Sequence, residues 1–125
     1  MAKIPQISEA EWEVMKSLWE HGALTSGELV QRIGEAGHAW APRTIKTLLA
    51  RLVKKGAAAV VRQEKRVLYA AKVNREAVVK RESRSFLHRV FDGAVTPALV
   101  HLIEEGKLTS REIDELKKIL DRERP

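Results

Sequence analysis

Apolar residues recur along this chain first at helical spacing, then at strand spacing, then at helical spacing again. Trp12, Met15, Leu18 and Trp19 share one face, between Ser8-Glu9-Ala10-Glu11 and Gly22, and predict a helix over about 9–21. Leu29, Val30 and Ile33 predict a second helix over about 26–36, after Thr25-Ser26-Gly27-Glu28 and before Gly37-His38. Ile45, Leu48, Leu49, Leu52 and Val53 make the stripe of a third, from Pro42 to Lys55, stopped by Gly56. Proline suits a first helical turn, where no amide donor is needed. The Ser8 and Thr25 starts are capping boxes: the hydroxyl accepts from the amide three residues on, and the Glu there accepts from the cap's own amide. Thr109-Ser110-Arg111-Glu112 is a third. Each is flanked by an apolar pair that can staple the turn: Ile7 with Trp12, Leu24 with Leu29, Leu108 with Ile113.

Two short β runs follow the third helix. Val60 and Val61 sit in 57–62, Leu68 and Tyr69 in 67–71, and Gln63-Glu64-Lys65-Arg66 between them is a polar turn without glycine. The pair predicts a hairpin with a charged tip. Asn74 can cap a fourth helix over about 75–91, ended by Asp92-Gly93. A fifth runs from Thr96-Pro97 to about Glu105, and a sixth starts at Thr109.

The expected fold is therefore mainly α with a small β-hairpin wing. A winged helix-turn-helix domain covers 1–72, and a helical region covers 73–125. That second region carries Val78, Val79, Phe86, Leu87, Val90, Phe91, Leu99, Leu102, Ile103, Ile113, Leu116, Ile119 and Leu120. Short helices totalling about fifty residues cannot bury so much apolar surface by themselves. A second copy of the same helices is the economical cover, so the region is expected to form a homodimer.

Charge changes this picture more than overall composition does. Residues 1–39 hold three basic and six acidic groups, a net of −3. Residues 40–72 hold nine basic groups against the single acid Glu64, a net of +8, and residues 73–125 are nearly balanced at +1. A positive field gathered into one third of the chain points to a polyanion, with a solvated basic surface as the bland alternative. The third helix concentrates that field. Its outer face carries Arg43, Thr47, Ala50 and Lys54, flanked by Thr44, Lys46 and Arg51, with no acid.

The stretches Ile7-Ser8-Glu9-Ala10-Glu11-Trp12-Glu13-Val14-Met15 and Trp40-Ala41-Pro42-Arg43-Thr44-Ile45-Lys46-Thr47-Leu48-Leu49-Ala50-Arg51-Leu52-Val53-Lys54-Lys55-Gly56 resemble the penicillinase and methicillin-resistance repressors (BlaI/MecI). Ser85-Phe86-Leu87 and Leu108 to Leu116 extend the resemblance over nearly the whole chain, and the copper-responsive CopY repressors are more distant cousins. The resemblance implies an N-terminal winged helix and a C-terminal helical dimerisation region. It implies a repressor that binds inverted-repeat operators in double-stranded DNA. Some members of the family are inactivated by proteolysis triggered through a membrane sensor protease, and the resemblance extends that route to this chain as an expectation. The family's scissile position falls at His101–Leu102, where this chain departs from the Asn-Phe pair of some relatives. The cysteine cluster through which CopY-type members hold metal has no counterpart, because the chain has no cysteine.

For DNA, phosphate contacts position a protein and base-edge contacts specify sequence. The third helix is the candidate major-groove reader, with Arg43, Thr44, Lys46, Thr47, Arg51 and Lys54 as its contacts. Threonine methyls at 44 and 47 suit thymine methyls, and Arg51 suits a guanine edge. Arg62, Lys65 and Arg66 on the wing would grip backbone or minor groove. Dimerisation is expected through Val79, Phe86, Leu87, Val90, Phe91, Leu99, Leu102, Ile103, Ile113, Leu116 and Leu120. Trp40 is expected to bury its ring and steady the third helix, Trp12 and Trp19 to be core, and Tyr69 is equally a structural and a DNA-facing candidate.

Other chemistry is thin. His21, His38, His88 and His101 are scattered without metal-ligand spacing, so neither metal nor cofactor is expected. Glu104-Glu105 is a poor catalytic pair, and no phosphate loop or nucleophile motif occurs, so no catalytic residues are expected and the chain does not read as an enzyme. Met1–Ile7 is too short and polar for a signal peptide, and no apolar run approaches a membrane span. The expected location is the cytoplasm, without membrane insertion. Two alternatives stand beside the operator-binding repressor. One is an architectural or nonspecific DNA-binding protein, against which the lack of long basic tails speaks. The other is a winged helix that binds only protein, against which the basic face of the third helix speaks.

Overall fold

A computed structural model describes residues 4–125; residues 1–3, part of the segment too short and polar for a signal peptide, lie outside them. The order is α1 (Glu9–His21), α2 (Ser26–Glu35), α3 (Pro42–Lys55), β1 (Ala58–Gln63), β2 (Arg66–Ala71), α4 (Arg75–Phe91), α5 (Val95–Glu105) and α6 (Ser110–Arg122). This is the expected helix–helix–helix–hairpin of a winged helix, followed by three helices.

Local chemistry sets the helix starts. Ser8 Oγ accepts from the Glu11 amide at 3.2 Å, and Glu11 Oε1 accepts from the Ser8 amide at 2.9 Å. Thr25 and Glu28 repeat the exchange at 3.1 and 2.9 Å, and Thr109 and Glu112 at 3.1 and 3.0 Å. Asn74 Oδ1 accepts from the Ala77 amide at 3.1 Å and opens α4. No side chain caps α3, which begins on Pro42 after an extended Ala41. It ends at Gly56, whose φ of 85° is left-handed and favours glycine.

The chain divides into two compact units, one reaching Lys80 and one from Arg81 to Pro125. In the first, Val14, Met15 and Leu18 of α1, Leu29 and Ile33 of α2, and Ile45, Leu48, Leu49 and Leu52 of α3 form one buried core. Trp12 and Trp19 meet edge to face at 5.5 Å and pack half-buried against it, as expected of core residues. Trp19 Nε1–H donates to the Val73 carbonyl at 3.0 Å. The same core includes fully buried Val78 of α4, so the first unit runs past Lys72 into the fourth helix. Burying a valine contributes about 1.5–3 kcal/mol, which makes the start of α4 a structural part of the winged helix.

β1 and β2 pair antiparallel from Ala58 opposite Ala71 to Gln63 opposite Arg66. The turn is therefore Glu64-Lys65 alone, tighter than the four-residue tip expected from sequence, and Glu64 takes a φ of 54° to close it. A further rung has no local signal in the sequence. Leu24, between α1 and α2, exchanges backbone hydrogen bonds with Tyr69 at 2.9 and 2.7 Å.

In the second unit Phe91 lies near Phe86 at 5.9 Å and near His101 at 5.8 Å, ring centre to ring centre. Ala98 is buried, but Leu99, Ile103, Ile113 and Leu120 are exposed. Val90 stands 53% and Leu102 59% open in the single chain. No helix among the described residues is long and apolar enough to cross a membrane.

Candidate nucleic-acid interface

Helix α3 is held by its apolar stripe and presents its other side to solvent. Ile45, Leu48, Leu49 and Leu52 are buried, while Arg43, Thr44, Lys46, Thr47, Ala50, Arg51 and Lys54 are all exposed. No acid interrupts the helix. Arg43, Lys46, Arg51, Lys54, Arg62 and Lys65 have no carboxylate within ion-pair distance among the described residues. Their charge is thus uncompensated and faces outward, the arrangement that binds a polyanion by releasing its counterions.

Thr47 Oγ1 donates to the Arg43 carbonyl at 3.0 Å, one turn back along the helix. That bond commits the hydroxyl proton and leaves the methyl as the group that can meet an apolar partner such as a thymine methyl.

Lys55 belongs to the basic block but not to this face. Its Nζ donates to Glu11 Oε1 at 2.5 Å and to the Gln6 carbonyl at 2.9 Å, pinning the end of α3 to the start of α1. Burial pushes the Glu11 carboxyl up, but Lys55 and the Ser8 amide and hydroxyl outweigh it and hold it below the usual carboxylate range.

At the other end of α3, His38 Nε2 lies 3.3 Å from Glu13 Oε2, and the His38 ring rests 4.8 Å from the ring of Trp40. Trp40 is half-buried against the core two residues before Pro42.

The wing carries Arg62, Lys65 and Arg66, all exposed. Arg66 is engaged: its Nη2 lies 3.3 Å from Glu28 Oε1 at the start of α2. The Thr25 amide and hydroxyl, followed by the charges of Arg66 and Arg32, hold the Glu28 carboxyl below its usual range. Tyr69 is half-buried, packs against the core and carries the rung to Leu24.

The outward residues of α3 are legible in the sequence, but the Lys55–Glu11 and Arg66–Glu28 pairs are not. Their partners lie 44 and 38 residues apart, so no local spacing announces them.

Among the described residues no group of His, Asp and Glu could hold a metal ion. A three-helix and hairpin scaffold with an acid-free, outward basic helix defines a winged helix-turn-helix protein. Residues 7–122 match the penicillinase repressor family. The penicillinase repressor of Bacillus licheniformis is 36% identical over 121 residues, covering 97% of this chain and 94% of that protein. The methicillin resistance regulatory protein MecI of Mammaliicoccus sciuri is 31% identical over 120 residues, covering 96% and 97%. This chain belongs to the penicillinase repressor family.

The solution structure of the Bacillus licheniformis BlaI monomeric form in complex with the blaP half-operator is similar, with a TM-score of 0.53 and 38% identity. It covers 61% of this chain and 92% of that one. The apo form of MarR from E. coli shares the fold at a TM-score of 0.54 and 20% identity, over 96% of this chain and 80% of that one.

Proposed function

We propose that this protein is a transcriptional repressor that binds a specific operator in double-stranded DNA. The observation that carries the reading is the exposed, unpaired basic face of α3 on a scaffold similar to BlaI, whose structure is a complex with a half-operator. In this reading α3 lies in the major groove with Arg43, Thr44, Lys46, Thr47, Arg51 and Lys54 toward DNA. Arg62, Lys65 and Arg66 hold the backbone from the wing.

The repressor acts as a homodimer on an inverted repeat, through Val79, Phe86, Leu87, Val90, Phe91, Leu99, Leu102, Ile103, Ile113, Leu116 and Leu120. Support comes from the apolar side chains that the second unit leaves open in one chain, more than a lone soluble helix set carries without a cover. Removal of the repressor by a sensor protease at His101–Leu102 fits the same arrangement. Loss of α6 and the rest of α5 would take Leu102, Ile103, Ile113, Leu116 and Leu120 from the interface.

The test of DNA recognition is displacement by unrelated DNA. Fluorescence anisotropy on the protein's own promoter should survive an excess of random duplex, and parallel loss on both would leave only a nonspecific DNA-binding protein. For the cleavage step, intact-mass measurement during induction should show a fragment ending at His101. Derepression with full-length chain still present would remove that step.

A further inference from the structure

The Arg66–Glu28 pair lies between the wing and the helix-turn-helix. Arg66 opens β2 beside the turn of the wing, and Glu28 is in the first turn of α2. The carboxylate is not a free-swinging surface group. Its Oε1 already accepts from the Thr25 amide at 2.9 Å, which fixes it in place, and the guanidinium meets the same oxygen at 3.3 Å. The anion is also kept ionised by its capping role and by Arg66 and Arg32 nearby. Arg66 keeps most of its side chain in solvent, at 61% exposure, so a phosphate can reach it.

We propose that Glu28 is a built-in competitor for DNA: it occupies wing Arg66 in the free protein and gives it up only in exchange for a phosphate. This rests on the DNA-binding reading above. The physical logic is that of two anions sharing one guanidinium. An exposed carboxylate–arginine pair is weak enough for a phosphate to displace, yet its loss subtracts from the gain of binding. The carboxylate left behind stays close to the incoming phosphate and adds a repulsive term. The pair therefore lowers DNA affinity without touching the reading face of α3, and it does so for any sequence that offers a phosphate to the wing.

The test uses Glu28→Gln, because glutamine also completes a capping box and the α2 start is retained while the charge is removed. With the full chain and a random-sequence duplex of about three helical turns, the variant should bind more tightly than wild type by about 2–5-fold for each wing that meets DNA, the size of one exposed ion pair. The gain should shrink clearly in the Arg66→Ala background, where the competition is gone and only the repulsive term is left. A gain of equal size with and without Arg66 would mean general charge repulsion and would overturn the proposal, as would unchanged or weaker binding by Glu28→Gln. A DNA-free measurement separates this from failure of the DNA-binding reading itself. The Arg66 guanidinium resonances should move as acid titrates Glu28 in wild type and stay still in Glu28→Gln. If the wild type does not bind duplex at low salt while those resonances move, the repressor reading fails and the pair stands as a structural contact only, which also overturns the competitor role.

Discussion

Lys55 Nζ and Glu11 Oε1 stand 2.5 Å apart, with the carboxylate buried at the start of α1 and the ammonium reaching it from the last turn of α3. Glu11 Oε2 is buried without a hydrogen-bond donor, so Lys55 and the Ser8 cap carry the whole charge. Removing the ammonium strands a buried anion, which in a closed interior costs several kcal/mol. Lys55 is itself 36% exposed, and solvent will take up part of that cost. Lys55→Met should therefore destabilise the protein by about 1–3 kcal/mol at neutral pH.

The pH dependence has a definite sign. The Glu11 pKa is lowered in the folded protein, so its contribution is present above the ordinary carboxylate range and fades as pH falls through the folded value. Wild-type stability should decline on acidification, and the difference from Lys55→Met should shrink over the same range. Urea denaturation at about pH 7 and about pH 3 checks both. A penalty for the variant that is as large in acid as at neutrality would show that altered packing of the lysine stem, not charge, causes it.

Glu64 closes a two-residue hairpin turn at a φ of 54°, a region that side chains with a Cβ occupy at a cost of about 1–2 kcal/mol. Asparagine tolerates that region better than glutamate. Glu64→Asn should stabilise the fold, by about 0.5 kcal/mol, and raise the unfolding midpoint measured without DNA. An unchanged or lower midpoint would mean that the turn relaxes in solution.

The uncompensated charges of α3 and the wing predict strong salt sensitivity. If a dimer makes roughly 6–10 phosphate contacts, affinity should fall by about 10³–10⁵ between about 50 and 200 mM salt. A flat response would end the DNA-binding reading. Within that binding, Arg51→Ala should weaken operator DNA more than random DNA, by about 1–3 kcal/mol for a bidentate base contact. Lys65→Ala should weaken both alike and reduce the salt slope by about one for each phosphate no longer neutralised. Equal weakening on both DNAs for Arg51→Ala would make it a phosphate-binding residue.

Because Val78 fills the winged-helix core and Trp19 bonds to the Val73 carbonyl, the place where the chain is cut matters. A fragment ending at Lys80 should fold and sediment as a monomer that binds a palindrome weakly, lacking the linked second site. One ending at Lys72 has neither the valine packing nor the tryptophan hydrogen bond and should be at least about 2 kcal/mol less stable. A dimeric fragment ending at Lys80 would place the dimer interface outside the second unit.

The helices are legible in the sequence because their signals are local. Ser8, Thr25 and Thr109 each carry the whole capping exchange within four residues, and the stripe of α3 needs only a period to be read. The outward face of α3 follows by subtraction. What escapes is whatever depends on two distant segments meeting. Glu11 reads as a cap and nothing more, although its second partner, Lys55, comes from another helix. Leu24 reads as half of a staple, although its backbone also pairs with Tyr69. Val78 reads as surplus apolar surface among the later helices, although it completes the earlier core. The tip of the hairpin looks wider in sequence than it is because it lacks glycine; Glu64 takes the strained backbone instead.

The rung between Leu24 and Tyr69 has a mechanical meaning. Leu24 is the residue before Thr25, whose hydroxyl starts α2, and its two backbone bonds clamp it to the strand that returns from the hairpin tip. The hairpin and the second helix are therefore geared together rather than hinged apart. If a groove tilts the hairpin, the start of α2 is dragged along with it, and the amide hydrogens of Leu24 and Tyr69 should exchange with solvent in step, as teeth of one wheel.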